Sequence, residues 1–258
     1  MSMVLAERRG AIACLTLNNP AQYNALGGSL LTDLSMALDD AMRQPAARAV
    51  LITGAGKGFC SGAQFGGDTF SSGSSITERM RGSINPVIEK LRNLPIPVVA
   101  AVNGPAAGAG VGIALAADIV IAAKSARFIL SFARLGAVLD GGTSLFLQRS
   151  IGAARARALS LLAEPLAAET AAEWGLIWKS VDDTALMDEA LGIAQRLAEG
   201  PPVALGMIKH QLEAAWTAPL VDLLETEAAN QGKAFATADL REGAAAFVEK
   251  RSPRFAGR

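Results

Sequence analysis

The chain has 258 residues, with 24 Lys and Arg balanced by 24 Asp and Glu, a single His and two Cys. Zero formal charge argues against a polyanion-binding scaffold or a polybasic membrane binder, while one His removes most zinc-site combinations. The side chains are 51% hydrophobic but only 5% aromatic, alongside 26 Gly, so the apolar mass is Ala, Leu, Val and Ile in a fold with closely approaching backbones. At this length one large domain, or one domain with an appendage, is expected.

Val4–Glu7 and Ala11–Leu17 read as two short strands about the Arg9-Gly10 turn. Ser29 is placed to cap a helix running to about Met42, with Leu30, Leu31, Leu34 and Leu38 at apolar spacing and Pro45 closing it. Ala49–Thr53 is a buried-strand run that enters the loop GAGKGFCSGAQFGG. A Ser- and Gly-rich stretch with Phe65 and Phe70 follows, open to two readings: a border of a ligand pocket or a flexible surface loop. Ile76–Asn93 has helical pattern with breaks at Gly82 and Pro86.

Pro97–Val102 is a second buried strand, turning through Asn103-Gly104-Pro105 into a helix of small residues, Gly108–Ala117, and Ile119–Ala122 is a third. Leu94 to Ala117 carries no charge, a length that suggests a membrane span, but three Pro, Asn103 and many Ala and Gly interrupt it; strand, turn and helix fit better. Helices are expected over Ser144–Ser150, Ala153–Leu162 and Ala168–Trp174, then a short strand, Ile177–Val181. Beyond Asp182 the pattern is helical almost to the end, broken at Pro201-Pro202 and Pro219. Residues 1–199 thus form an α/β core and residues 200–258 a helical C-terminal region.

Two Gly-rich turns follow buried strands. GAGKG at Gly54–Gly58 lacks the phosphate-loop spacing, since Leu51 stands where its first Gly belongs, and GAGVG at Gly108–Gly112 has Ile113 in place of the third dinucleotide Gly. Tight packing is one explanation for both. The other is chemical: small-residue loops expose unpaired backbone N–H groups, and two loops from one sheet can aim two donors at a single oxygen.

FCSGAQF at Phe59–Phe65, VNGPAAGAGVGIALAADI at Val102–Ile119, LGAVLDGGTSLFLQR at Leu135–Arg149, AAEWGLIWKSV at Ala171–Val181 and EGAAAFVEKRSPRF at Glu242–Phe255 resemble the crotonase, or enoyl-CoA hydratase/isomerase, family, in its order and across the whole chain. The resemblance implies a spiral of ββα units with a C-terminal α-helical trimerisation region, assembled as a homotrimer or dimer of trimers. It implies an acyl-CoA thioester as substrate, with the N–H groups of Ala63 and Ala109 forming the oxyanion hole. Gln22, Asn24, Ala25, Ser61, Gly62 and Gly108 would line the coenzyme A channel, and Phe247 and Lys250 would reach CoA from a neighbouring subunit. Ala109 stands where the family more often has Gly, and Gln22 where it commonly has a basic residue.

Family hydratases carry two glutamates, and the matching positions here are Gly112 and Phe132, neither able to transfer a proton. What remains is Asp140, which matches the aspartate of the isomerase branch that includes phenylacetate-degradation and enoyl-CoA isomerases, although Leu139 precedes it where that branch usually has Pro. The resemblance therefore implies an isomerase of fatty-acid or aromatic-acid catabolism, with Asp140 shuttling a proton. The alternatives are a 2-enoyl-CoA hydratase, a non-catalytic acyl-CoA-binding trimer, and a thioester hydrolase or dehalogenase with Asp140 as nucleophile. Asp140 also has a plainer reading, as side-chain cap of the helix that follows Gly141. His210, Asp118, Arg155 and Arg157 read as structural or surface groups. No metal, cofactor, nucleic acid or membrane is expected, CoA entering only as part of the substrate. Cys14 and Cys60 read as reduced, buried thiols of a cytoplasmic protein, and the N-terminus turns charged too soon for a signal peptide.

Overall fold

The computed structural model describes residues 2–43, 46–64 and 73–258. The expected end of the first helix at Pro45 and the Phe65–Phe70 stretch lie outside the described residues.

Strand β1 (Val4–Arg9) pairs antiparallel with β2 (Ile12–Leu17), and helix α1 (Leu30–Ala41) follows with Leu30, Leu34 and Leu38 buried. Ser29 stands at its N-cap but makes no side-chain cap bond. Strand β3 (Ala49–Gly54) adds parallel to β2. Next come α2 (Gly73–Gly82) and α3 (Ile84–Asn93), separated at Ser83. The expected break at Pro86 does not occur, because Pro86 falls in the first turn of α3, where no intrahelical N–H is needed.

Each later unit places one strand in the large sheet and a second, short strand elsewhere. β4 (Val98–Val102) is followed by β5 (Ala106–Ala107) and α4 (Ala109–Leu115), then β6 (Ile119–Ala123) by β7 (Arg127–Ile129) and α5 (Thr143–Leu162). β8 (Leu166–Ala167), α6 (Ala168–Glu173) and β9 (Lys179–Val181) complete the α/β part. The large sheet runs β1-β2-β3-β4-β6-β9, parallel from β2 onward, and the small one β5-β7-β8. Two- and three-residue strands have no readable periodicity, which is why the small sheet is invisible in the sequence. The helices expected on either side of Gly152 join as α5, kinked there at φ 74° and ψ 165°.

Every residue of β3 and β4 is buried, as in a parallel sheet covered on both faces. Helices α1 and α7 (Leu186–Glu199) supply cover. The chain ends in α8 (Pro202–Ala214), α9 (Leu220–Phe235) and α10 (Ala238–Glu249). The gap between the last two has no Pro; Thr237 makes it by accepting the Leu240 N–H at 3.1 Å as an N-cap.

These helices are tied to the body by polar contacts. Lys209 of α8 is buried, pairs with Asp118 at 2.9 Å and donates to the Leu91 carbonyl at 3.0 Å. Burial pulls its pKa down while Asp118 opposes the shift. Asp118 also accepts the Val98 N–H at 2.8 Å, so its structural reading holds, whereas His210 is exposed. Arg155 stacks over Trp174 at 4.9 Å. Cys14 and Cys60 are free and buried, and burial pushes the Cys60 thiol up to about 12. Among the described residues no helix is long and apolar enough to cross a membrane.

Candidate active site

The loop after β3 is sewn to the chain on both sides. Cys60 forms a parallel bridge to Ala106, and its carbonyl accepts the Ala107 N–H at 2.8 Å. On the other side the Ser61 N–H donates to Tyr23 O at 2.9 Å, Ser61 Oγ to Gln22 O at 3.0 Å, and the Leu26 N–H to Gly62 O at 2.7 Å. Gln22, Ala25, Ser61 and Gly62 are thereby brought together.

Asn24 departs from the expected channel lining. Its side chain is fully enclosed, with Nδ2 donating to the carbonyls of Ala55, Gly58 and Phe59 at 3.0, 2.8 and 3.1 Å and Oδ1 accepting the Asn19 N–H at 2.8 Å. A side chain so spent shapes the loop and reaches no ligand. Asn24→Ala would strand buried carbonyls, so a loss of about 3 kcal/mol of stability is expected. A depressed melting temperature checks it; unchanged melting would restore the ligand role.

Gly62 sets the distance between the two Gly-rich loops. At φ +79°, a Cβ here would lie 2.6 Å from Ala107 O and 3.4 Å from Ala109 N, so only glycine permits this approach. Gly108, at φ 52° and ψ −127°, turns the chain into α4, with Ala109 as its first residue. The first N–H groups of a helix have no intrahelical acceptor. Among the described residues neither the Ala63 nor the Ala109 N–H donates to a protein acceptor.

Asp140 lies in the turn before α5. Its side chain does not cap that helix: the N-cap is Gly142, without a side-chain cap bond, and the turn is held by the Asp140 carbonyl, which accepts from Thr143 N at 3.0 Å and Thr143 Oγ1 at 2.7 Å. That corrects the plainer reading. Asp140 Oδ1 is instead buried without a hydrogen-bond partner, and desolvation raises the carboxyl pKa to about 6. The residue as a whole is half-buried, and a carboxylate oxygen enclosed without a partner among the described residues is costly, a feature that recurs at functional sites.

The turn packs on α4 at Ala109: a Cβ on Gly141 would lie 3.5 Å from Ala109 Cα. Phe132 is buried, and a Cβ on Gly108 would lie 3.7 Å from its ring. Both positions that lack a glutamate, 112 and 132, therefore border this region, and neither brings an acid. Thr143 escaped the sequence reading, for only its hydrogen bonds distinguish it from any helix-start Thr. Phe247 and Lys250 stand at the end of α10, both exposed.

Units of strand, short strand and helix wound into two sheets, with backbone donors and one carboxyl at their edge, define the crotonase fold. The chain matches the family model described as Enoyl-CoA hydratase/isomerase over residues 7–258 and belongs to that enzyme family. It is 41% identical to the 1,2-epoxyphenylacetyl-CoA isomerase of Escherichia coli K12, over the full length of both chains. With the short-chain-enoyl-CoA hydratase of Clostridium acetobutylicum the identity is 32%, over 97% of this chain and 96% of the other. Among solved structures, the enoyl-CoA hydratase from Bacillus anthracis superposes with a TM-score of 0.94 at 31% identity, covering 99% of this chain and all of that one.

Proposed function

We propose that the protein isomerises an acyl-CoA thioester through an enolate, with Asp140 as the proton shuttle. The carrying observation is the half-buried carboxyl of Asp140, whose Oδ1 is enclosed without a hydrogen-bond partner among the described residues, on a turn packed against the helix whose first N–H has no acceptor among those residues. With a β,γ-unsaturated substrate, the Asp140 carboxylate takes a proton from the carbon α to the thioester. The electron pair moves to the thioester oxygen, which the N–H groups of Ala63 and Ala109 hold, and the double bond migrates as Asp140 returns the proton to the γ carbon. The sequence is redox-neutral and calls for no cofactor beyond the CoA of the substrate.

CoA would run past Gln22, Ala25, Ser61, Gly62 and Gly108. Phe247 and Lys250, exposed at the end of α10, would complete its site in a neighbouring subunit. The helical region from residue 200 supports that assembly as a homotrimer, alone or paired into a hexamer: α9 buries no residue, while Leu220, Val221, Leu224 and Phe235 are exposed along it. The two free thiols fit a cytoplasmic setting.

The test is a turnover panel of 2-enoyl-, 3-enoyl-, saturated and epoxidised aromatic acyl-CoAs, read by absorbance and mass. The E. coli relative's name puts ring-derived thioesters on that panel. Migration of the 3-enoyl double bond, or isomerisation of the epoxide, faster than hydration is expected. Hydration of the 2-enoyl thioester as the fastest reaction, which the hydratase names among the relatives favour, would overturn the proposal. Binding without turnover would overturn it in favour of a non-catalytic trimer, and an acyl-enzyme at Asp140 in favour of nucleophilic chemistry.

A further inference from the structure

We infer that Gly112 is a positioning residue for Asp140: the missing side chain lets the 140–142 turn seat on α4 and so fixes the carboxyl relative to the Ala109 N–H. This rests on the reading of Asp140 as the base. Ala109 and Gly112 are three residues apart in α4 and so share one helix face. Gly141 lies on that face. A Cβ on Gly112 would stand 2.3 Å from Gly141 O, 2.9 Å from its carbonyl carbon and 3.1 Å from its Cα. All three are backbone atoms, so no flexible side chain can yield. In the reverse direction, a Cβ on Gly141 would stand 3.5 Å from Ala109 Cα and O and 3.6 Å from Gly112 Cα.

The turn cannot retreat easily from α4. Thr143, fully buried, holds the Asp140 carbonyl through two hydrogen bonds, and a Cβ on Gly142 would already lie 2.7 Å from the Phe146 ring. It is clamped between α4 and α5, and residue 112 sets the gap on the α4 side. A single methyl there must displace either the turn, which carries the base, or the helix, which carries a donor for the enolate oxygen. Either way the two halves of the site shift relative to each other. The glycine thus does more than omit the glutamate found at this position in hydratases: it makes room for the turn that presents another carboxyl.

Gly112→Ala is compared with Gly206→Ala, a remote substitution in α8 whose Cβ would meet another backbone oxygen, Pro95 O, at 2.5 Å. Turnover of a 3-enoyl-CoA, KM, melting temperature and the pH profile of kcat/KM, which reports the free enzyme, are measured for each. Gly112→Ala is expected to lower kcat about 10- to 100-fold with little change in KM, as a displaced catalytic group does. Its acid limb should move from about 6 toward the ordinary carboxylate range as the carboxyl becomes wetter. Gly206→Ala should lower the melting temperature alone. If Gly112→Ala does not fold, Thr143→Val serves: it removes one of the two bonds holding the turn, adds no bulk, and should move the limb the same way with a smaller rate loss.

A folded Gly112→Ala enzyme with wild-type kcat and acid limb would overturn the inference, as would a rate loss that leaves the limb in place. With Gly112→Ala unfolded, a Thr143→Val enzyme whose limb stays in place would overturn it too. An inactive Asp140→Asn beside a normal Gly112→Ala sinks the positioning role alone; an active Asp140→Asn sinks the base itself.

Discussion

Asp140→Asn is expected to cut isomerisation of a 3-enoyl-CoA by about 10²- to 10⁴-fold, the range in which positioned acid–base groups act. The amide keeps the shape of the carboxyl and removes its basicity. In the wild type the group must be ionised to accept the first proton, so kcat/KM should rise with pH through about 6 and level above it. The stability of the variant should move the other way. Desolvation raises the Asp140 pKa in the native state from 3.8 to about 6, while the unfolded chain keeps an ordinary carboxyl. Below about 4 both states hold the proton, and the two proteins melt alike. As pH climbs toward about 6, the unfolded wild type has released its proton while the native state retains it, so wild-type stability falls relative to Asn; above 6 the full difference persists. Higher melting of Asp140→Asn at pH 7–8, with activity lost, is the signature of a carboxyl kept for chemistry at the expense of stability. Wild-type turnover by this variant would refute the mechanism.

The second large effect is expected from Ala109→Pro. Residue 109 is the first of α4, the one helical position that favours Pro, because its N–H has no intrahelical partner. Gly108, at φ 52° and ψ −127°, already holds the mirror image of the extended conformation that a following Pro imposes, which an achiral residue adopts freely. The substitution therefore removes the N–H at small cost to the helix and puts ring carbons where the enolate oxygen would sit. Losing one such donor typically costs about 10²- to 10³-fold in kcat. Ala109→Gly, which retains the N–H, is the control and should keep most of the activity. Equal turnover by Ala109→Pro and wild type, at similar melting temperature, would remove Ala109 from the oxyanion hole.

Much of the proposed site could be suggested from residue order because the chemistry proposed for it is largely main-chain. A loop such as FCSGA or GPAAGAG carries small residues because side chains would block the approach, and smallness is written in the sequence. The proposal of Asp140 also starts from residue order: Gly112 and Phe132 fill the positions where the resemblance puts glutamates, and Asp140 matches the aspartate of the isomerase branch. Asn24 was misread because its neighbours border a channel, and only the folded loop shows its amide turned inward onto Ala55, Gly58 and Phe59. The capping reading of Asp140 failed for the same kind of reason. A sequence shows an Asp before a helix but does not show whether the carboxyl or the carbonyl meets the Thr143 N–H.

The sequence by itself determined the alternation of strand and helix, the buried strands of the large sheet, the helical end of the chain and the positions of the two small-residue loops. These depend on local patterning: apolar runs, helical spacing, Gly and Pro punctuation. The tertiary structure alone decided how the pieces meet. The small sheet exists because strands of two or three residues find partners far along the chain, and the 3.4 Å between a Cβ on Gly62 and Ala109 N joins two loops more than forty positions apart. The raised pKa of Asp140 likewise comes from what packs around it, since desolvation is a property of neighbours in space that no single residue encodes.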